Sequence, residues 1–505
     1  MNREQLLREI LSSRVYDAAR ETPLDPARRL SEVLQNEVLL KREDLQPIFS
    51  FKIRGAHNRI AHLTAEERQA GVIAASAGNH AQGVAFSARK VGAKAVIVMP
   101  ETTPAIKVEA VRRLGAEIVL SGETYADAEV RCREIAAASG LTIIHPFDDP
   151  LVIAGQGTIA AEIHRHGGER LGAVFVPVGG GGLIAGIGGY FKEVAPEVRV
   201  IGVQPFGTDS MHRSLLAGHP VHVPRVGIFA DGVAVREVGE LTFQIARDTV
   251  DEVVLVDNDE ICAAIRDVFE DTRSIVEPAG ALAVAGMKRW VRNGGVVGER
   301  LVAVLSGANM NFDRLGFVAE RAGLGEAREA VLAVTIPERP GAFLEFCRLL
   351  GRRTITEFNY RLASRTEAHV FVGIRVESKE DLAELVSELE DAGRRTVDLS
   401  RDESAKLHVR HMVGGPAPAT VTAEVACRFE FPERPGALTT FLETLGGRWN
   451  ISLFHYRNHA ADAGRVLAGF EVPEAERAEF LEFLEALGYR YVLEVDNAAY
   501  RLFLG

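Results

Sequence analysis

Cysteine is scarce in this 505-residue chain, and what little there is stands alone. Cys132, Cys262, Cys347 and Cys427 lie 80 or more residues apart and form no CxxC pair. That spacing excludes a zinc-ligand signature and a disulfide framework, and suits a reducing cytosol. No other ligand cluster is legible, so no metal is expected. Positive charge is also short. Lys and Arg total 58 against 70 Asp and Glu, a formal net charge of −12, and no basic run interrupts that balance. A nucleic-acid partner is therefore not expected, although a local site for a small anion stays open. The N-terminus, Met1-Asn2-Arg3-Glu4-Gln5, alternates charge and lacks the apolar stretch of a signal peptide. One run, Ala173 to Phe191, has 19 residues without a charge. Its seven glycines and one proline fit a buried strand, loop and helix start, not a membrane span. The chain reads as soluble and cytoplasmic, with no membrane partner.

What is present is an ordinary globular mixture, 47% hydrophobic and 25% charged. At roughly 100–200 residues per domain, the length implies two to four units. Up to about residue 320 short apolar runs alternate with amphipathic segments. Val72–Ala75, Ala95–Met99, Glu117–Leu120, Val174–Val178, Val200–Val203 and Leu301–Leu305 read as near-continuous apolar strands. Between several of them lie helical patterns such as Ala81–Val91 and Ile106–Leu114. Apolar strands separated by helices predict α/β architecture, here two open parallel sheets with a cleft at the strand C-terminal ends.

Beyond residue 325 an internal repeat sets in. Val334-Thr335-Ile336-Pro337-Glu338-Arg339-Pro340-Gly341-Ala342 returns as Phe429-Glu430-Phe431-Pro432-Glu433-Arg434-Pro435-Gly436-Ala437. Phe358-Asn359-Tyr360-Arg361 matches Phe454-His455-Tyr456-Arg457, and Val370–Val376 matches Val466–Val472. Each copy predicts strand, Pro-Gly turn, helix, strand, strand, helix, strand, a small α+β unit with an antiparallel sheet. Two copies indicate paired domains, not a solenoid. The expected division is 1–325, 326–415 and 416–505, with Pro416–Thr420 as linker.

Four segments carry the chemistry. In Ser50-Phe51-Lys52-Ile53-Arg54-Gly55-Ala56, Lys52 sits where a helix over Ile53–Leu63 begins. The positive helix terminus, poor solvation and Arg54 nearby would each disfavour an ammonium there, as Schiff-base chemistry requires. Ser76-Ala77-Gly78-Asn79-His80-Ala81-Gln82-Gly83 follows a strand and opens a helix, a seat for a carboxylate or simply a well-capped helix. Gly179-Gly180-Gly181-Gly182-Leu183 lets backbone N–H groups close round a phosphate. The run also fits a dinucleotide fingerprint through Gly180, Gly182 and Ala185. However, the next strand ends in Gln204-Pro205 without the acidic residue that would hold a ribose, and no Walker lysine follows. Ser306-Gly307-Ala308-Asn309 ends a strand, with no nucleophile elbow around the serine.

Together these segments resemble the fold-type II pyridoxal-phosphate enzymes of the threonine/serine dehydratase group. His145-Pro146-Phe147-Asp148, Asp231-Gly232-Val233-Ala234-Val235 and Val276-Glu277-Pro278-Ala279-Gly280-Ala281 add to the likeness. With the C-terminal repeat, which resembles tandem ACT-like (ferredoxin-like) regulatory domains, the chain is similar to the long biosynthetic threonine deaminases (threonine ammonia-lyases). The resemblance implies pyridoxal 5'-phosphate attached to Lys52, its phosphate held by Gly179, Gly180, Gly181 and Gly182, its ring hydroxyl by Asn79, and its pyridine nitrogen facing Ser306. A neutral serine there would leave that nitrogen unprotonated and favour β-elimination. The substrate carboxylate would dock on Ser76, Ala77, Gly78, Asn79 and His80, and Lys52 would act as general base. Glu277 would orient substrate or ring groups, or be structural. The resemblance further implies L-threonine, with L-serine as a rival, converted to 2-oxobutyrate and ammonia at the head of isoleucine synthesis. It implies inhibition by isoleucine and activation by valine through Tyr360 and Tyr456, in a homotetramer. Serine dehydratase, racemase or β-replacement activity, or an amino-acid sensor on an inactive scaffold, are the alternatives.

Overall fold

The computed structural model describes all residues except 169, 327, 352, 413, 420, 422, 433–436, 446–447, 458–462, 495–496 and 505. The chain forms two compact units, Met1–Gly325 and Glu326–Gly505. Among the described residues no helix is long and apolar enough to cross a membrane.

The first unit holds two parallel sheets, as the alternation of strands and helices requires. One has the spatial order Glu117–Leu120, Ala95–Met99, Val72–Ala75, Thr142–Ile143. The other runs Leu24–Pro26, Glu37–Arg42, Arg300–Leu305, Leu171–Pro177, Arg199–Pro205, Glu252–Val256, and only its Leu24–Pro26 edge is antiparallel. Val72–Ala75 and Ala95–Met99 are buried throughout, which is why they read as unbroken apolar runs. Leu171–Pro177 and Arg300–Leu305 are neighbours in register, Phe175 opposite Ala303. The loops that follow them, Val178–Gly181 and Ser306–Asn309, therefore leave the sheet side by side. The uncharged run Ala173–Phe191 forms a strand, this glycine loop and the buried helix Gly182–Val194.

The second unit contains both repeat copies, each running strand, helix, strand, strand, helix, strand. The copies do not form separate sheets. They share one eight-stranded antiparallel sheet whose order is a palindrome of the repeat: Thr396–Asp398, Glu329–Pro337, Glu367–Arg375, Ile355–Arg361, Asn450–Arg457, Ala463–Glu471, Glu424–Pro432, Arg490–Leu493. At its centre Asn359 pairs with His455, flanked by Phe358 opposite Tyr456 and Tyr360 opposite Phe454. Pairing the two edges closes the unpaired strand that each isolated copy would present. Arginines then cross the seam. Arg361 of the first copy donates to Glu424 (2.6 Å) and to the Leu504 carbonyl (2.6 Å), both in the second, and to the carbonyl of Gly415 (3.0 Å), at the end of the first. Arg457 of the second copy lies 3.1 Å from His411, at the end of the first. The Pro-Gly turn expected at 433–436 and residue Thr420 of the expected linker lie outside the described residues.

Candidate active site

Lys52 is the first residue of its helix, Lys52–Ala61, one position earlier than the apolar spacing suggests. The segment before it is tied to the end of the Arg300–Leu305 strand. Ser50 bridges to Gly307, Phe51 N–H donates to Ser306 O (3.1 Å), and Ala308 N–H donates to Phe49 O (2.8 Å). These bonds put Lys52 at the C-terminal rim of the larger sheet. Its Nζ donates to the Pro146 carbonyl at 3.0 Å. Burial lowers the amine to about 8, with the Glu277 carboxylate pulling the other way. Arg54 plays no part in that depression. Its guanidinium is fully buried on another side of the helix, neutralised by Glu43 and Glu162.

The His145–Asp148 run is shaped by one imidazole. His145 Nδ1 accepts from the Phe147 and Asp148 N–H groups (3.3 and 2.7 Å), which leaves the Pro146 carbonyl facing Lys52. Asp148 accepts from the N–H groups of Leu241 and Thr242 (3.0 and 3.1 Å) at the start of helix Glu240–Thr249. Phe147 lies against the glycine loop. A Cβ on Gly180 would come within 2.3 Å of its ring, and one on Gly182 within 3.0 Å of its backbone. At Gly179 a Cβ would meet the Val233 backbone at 3.1 Å. Gly181 has φ of +100°, and no side chain caps the helix that begins at Gly182. A bare helix N-terminus fed by successive small residues is an anion seat.

The smaller sheet contributes a second such terminus. Helix Asn79–Val91 starts at Gly78 with no side-chain cap, so the Ser76 hydroxyl does not close it. Instead Ser76 Oγ accepts the Gly78 N–H at 3.3 Å. His80 donates from Nε2 to Ile144 O (2.8 Å), because a carbonyl can only accept. Burial first, then the Lys52 charge, lower that imidazole to about 3, so it is neutral. Asn79 turns towards the larger sheet, donating to Glu277 (2.7 Å) and accepting from Asn309 (2.7 Å). Glu277 is pushed up to about 7 by burial and by Asp231, against the Asn79 hydrogen bond. Ser306 Oγ donates to Ala279 O at 3.1 Å, at the entry to helix Pro278–Gly294.

The structure gathers most of the residues singled out in the first unit into two sets joined through the Phe51–Ser306 bond: Lys52, Pro146, Phe147 and the glycine loop in one, Ser306, Gly307, Glu277 and Asn79 in the other, while Ser76 bonds within its own loop. Thr242, whose hydroxyl donates to Gly180 O at 2.7 Å, and Asn309 complete them. Sequence reasoning missed Thr242 because it belongs to no recognisable motif and lies 62 positions from Gly180 in the loop it holds. Among the described residues no group of His, Cys, Asp and Glu is arranged to hold a metal ion. Tyr360 and Tyr456 are in the other unit, 3% and 2% exposed, and the Tyr360 hydroxyl donates to Glu338 at 2.5 Å.

These cradles fit pyridoxal phosphate: a glycine-lined, uncapped helix start for the phosphate, an amine whose burial lowers it to about 8, and an amide and a hydroxyl on either flank. The model of the pyridoxal-phosphate dependent enzymes matches residues 15–307. That of the C-terminal regulatory domain of threonine dehydratase matches twice, over 320–409 and 417–504. The chain is 56% identical to the biosynthetic L-threonine dehydratase IlvA of Burkholderia multivorans over 99% of each protein. It is 52% identical to that of Escherichia coli K12, over 99% of this chain and 97% of the relative. Among solved structures, the processed form of threonine deaminase isoform 2 from Solanum lycopersicum is 50% identical. It superposes with a TM-score of 0.63 over 64% of this chain and 88% of its own.

Proposed function

We propose, from the premise that this chain belongs to the biosynthetic threonine dehydratases, that Lys52 and the loops around it deaminate L-threonine under amino-acid control exerted by the C-terminal repeat. The chain is a pyridoxal-phosphate-dependent carbon–nitrogen lyase, and its products are 2-oxobutyrate and ammonia. The observation that carries the site assignment is the Lys52 amine bonded to Pro146 O, next to Phe147, which packs on the uncapped glycine-lined start of helix Gly182–Val194.

In this reading residues 1–325 are catalytic, and 326–415 and 416–505 are paired regulatory domains. Lys52 attaches the cofactor, Gly179–Gly182 seat its phosphate, and Asn79 and Ser306 flank its ring. When bound, pyridoxal phosphate supplies an electron sink for charge developing at the substrate Cα. The remaining work falls to the chain. Ser76–His80 offers its helix N-terminus to the threonine carboxylate. Neutral His80 adds no positive charge beside the amine, and burial brings Lys52 down to about 8, so part of it is free near neutral pH to take the Cα proton. Glu277 holds Asn79 in place. The amine value of about 8 gives a signed expectation: kcat falls about tenfold per pH unit on the acid side of that value, as the ammonium form takes over. A pH–rate profile from 6 to 9, flat through this range, would count against Lys52 as the base.

Isoleucine as inhibitor, valine as activator, a homotetramer and a cytoplasmic setting complete the proposal. Tyr360 and Tyr456 flank the seam where the two copies pair, a position from which a bound amino acid would be felt by both. Release of 2-oxobutyrate from threonine, with and without isoleucine, tests the two halves separately. Turnover that isoleucine suppresses supports both, and turnover indifferent to it removes the regulatory half. Tyr360→Phe, which deletes a hydrogen bond to a charged group, should raise the isoleucine needed for half-inhibition about tenfold and leave uninhibited turnover unchanged.

A further inference from the structure

Four ionic side chains, Lys41, Glu43, Arg54 and Glu162, are fully buried together in the first unit. Arg54 is the hub. It donates to both oxygens of Glu43 (2.8 and 2.7 Å), both of Glu162 (2.5 and 2.9 Å), the Thr158 hydroxyl (3.1 Å) and the Arg20 carbonyl (3.2 Å). Lys41 donates to Glu162 and to Thr22 O (2.5 and 2.6 Å). Burial alone would push the Glu162 carboxyl up, but Arg54 and Lys41 outweigh it and hold it at about 2.

A quartet like this is a poor way to gain stability. Desolvating buried ions costs about as much as their attraction returns, and well-packed apolar residues do as well or better. What a guanidinium fork adds is direction, because its planar donors accept only one orientation of the helix that carries it. That helix is Lys52–Ala61, and two residues turn it by about 200°, so Arg54 pulls on the side away from Lys52.

The other sides of the helix are gripped by glycine contacts. A Cβ on Gly55 would lie 2.6 Å from Val152 O, and one on Gly155 2.8 Å from Arg54 O, so the Lys52 helix and helix Pro150–Gly167 touch backbone to backbone. A Cβ on Gly83 would lie 3.2 Å from Lys52 O, so helix Asn79–Val91 presses on the first turn. Glycine contacts fix distance more than rotation. Asn58 adds single bonds to Leu151 O (2.7 Å) and from Arg14 N–H (2.9 Å), and the Arg54 fork supplies the largest set of directed bonds on the helix.

We propose that Arg54 is a positioning residue for Lys52: through the buried quartet it sets the rotation of helix Lys52–Ala61 and so aims the amine at the cleft. This rests on Lys52 being the catalytic amine, which Lys52→Ala tests separately. The discriminating variant is Arg54→Lys in the full-length holoenzyme, which keeps the charge and loses the fork. Its far-UV circular dichroism should match the parent, while kcat falls about 100-fold and KM changes less than about threefold. Independently of turnover, the pH midpoint of the bound cofactor's visible absorption should move. The control is a second buried ion pair in the same unit, removed as Lys288→Met with Asp267→Asn. It should leave kcat and the absorption midpoint at parental values, whatever its effect on thermal stability. Parental kcat and midpoint in Arg54→Lys, or the same changes in the control, would overturn the proposal. Should Arg54→Lys not fold, Thr158→Val carries the test by removing one bond of the hub. A three- to tenfold loss of kcat, in the range expected for one hydrogen bond, with a shifted midpoint supports the proposal, and parental values refute it.

Discussion

Lys52→Ala should reduce threonine deamination by about 10⁴-fold, the combined loss of a covalent attachment point and a general base. The effect is chemical and not a matter of folding. The Lys52 side chain makes one protein hydrogen bond, to Pro146 O, while its helix is held by Phe51, Arg54 and the glycine contacts with its neighbours. Alanine favours a first-turn position at least as well as lysine. The variant should therefore keep the parental circular dichroism and lose the yellow colour of covalently held cofactor on dialysis. The comparison to make is 2-oxobutyrate formation by variant and parent at saturating threonine. A rate within tenfold of the parent would remove Lys52 from the mechanism, and with it the assignment of the cleft. Adding a soluble primary amine offers a second reading: partial recovery in the variant alone would show that the missing function is the amine itself.

Gly181→Ala should weaken cofactor retention by two to three orders of magnitude. Two costs coincide at this residue. Its φ of +100° lies where an L side chain is strained by about 1–2 kcal/mol. The new Cβ would also stand 2.8 Å from Met211 Cε and from Thr242 Cβ and Oγ1. The methionine end can swing aside, but Thr242 is β-branched and its hydroxyl is committed to the carbonyls of Gly180 and Gly239. Overpacking of this kind adds about 1–3 kcal/mol. The chain escapes by moving the loop, and the loop is the phosphate seat, so the cost surfaces as lost affinity. Gly92→Ala is the matching control, with φ of +74° and open space round the new methyl. It should cost about 1 kcal/mol of stability and leave cofactor binding alone. Equal cofactor affinity in the Gly181 variant and the parent would separate this loop from the phosphate.

Much of the first unit was legible because its central strands are buried on both faces. Val72–Ala75 and Ala95–Met99, buried throughout, have the boundaries their composition suggests, as does the partly exposed edge strand Glu117–Leu120. Segments that bind through backbone and small residues could be read as well, since Gly179–Gly182 and Ser76–His80 combine chemistry and local shape in a few consecutive positions. Arg54 shows where this ends. Beside Lys52 in sequence, it looked like a charge acting on the amine, whereas Glu43 and Glu162, which neutralise it, lie 11 and 108 positions away. Nothing local reports a partner at that separation. The repeat in the second unit was visible for the same reason as the loops, as a run of matching residues. Its shared sheet was not, because nothing local in the sequence reports that the edge Ile355–Arg361 pairs with Asn450–Arg457 while Thr396–Asp398 and Arg490–Leu493 stay at the outer edges. The isolated cysteines fit their surroundings in a simpler way: all four are free and buried.

The palindromic sheet makes the second unit a single plate, not two leaves on a hinge. A ligand that strains one copy must bend strands bonded to the other, and the crossed arginines carry the load to both chain ends of the repeat. Should amino acids bind the repeat as proposed, a mutation that deforms one copy would be expected to shift affinity in the other as well.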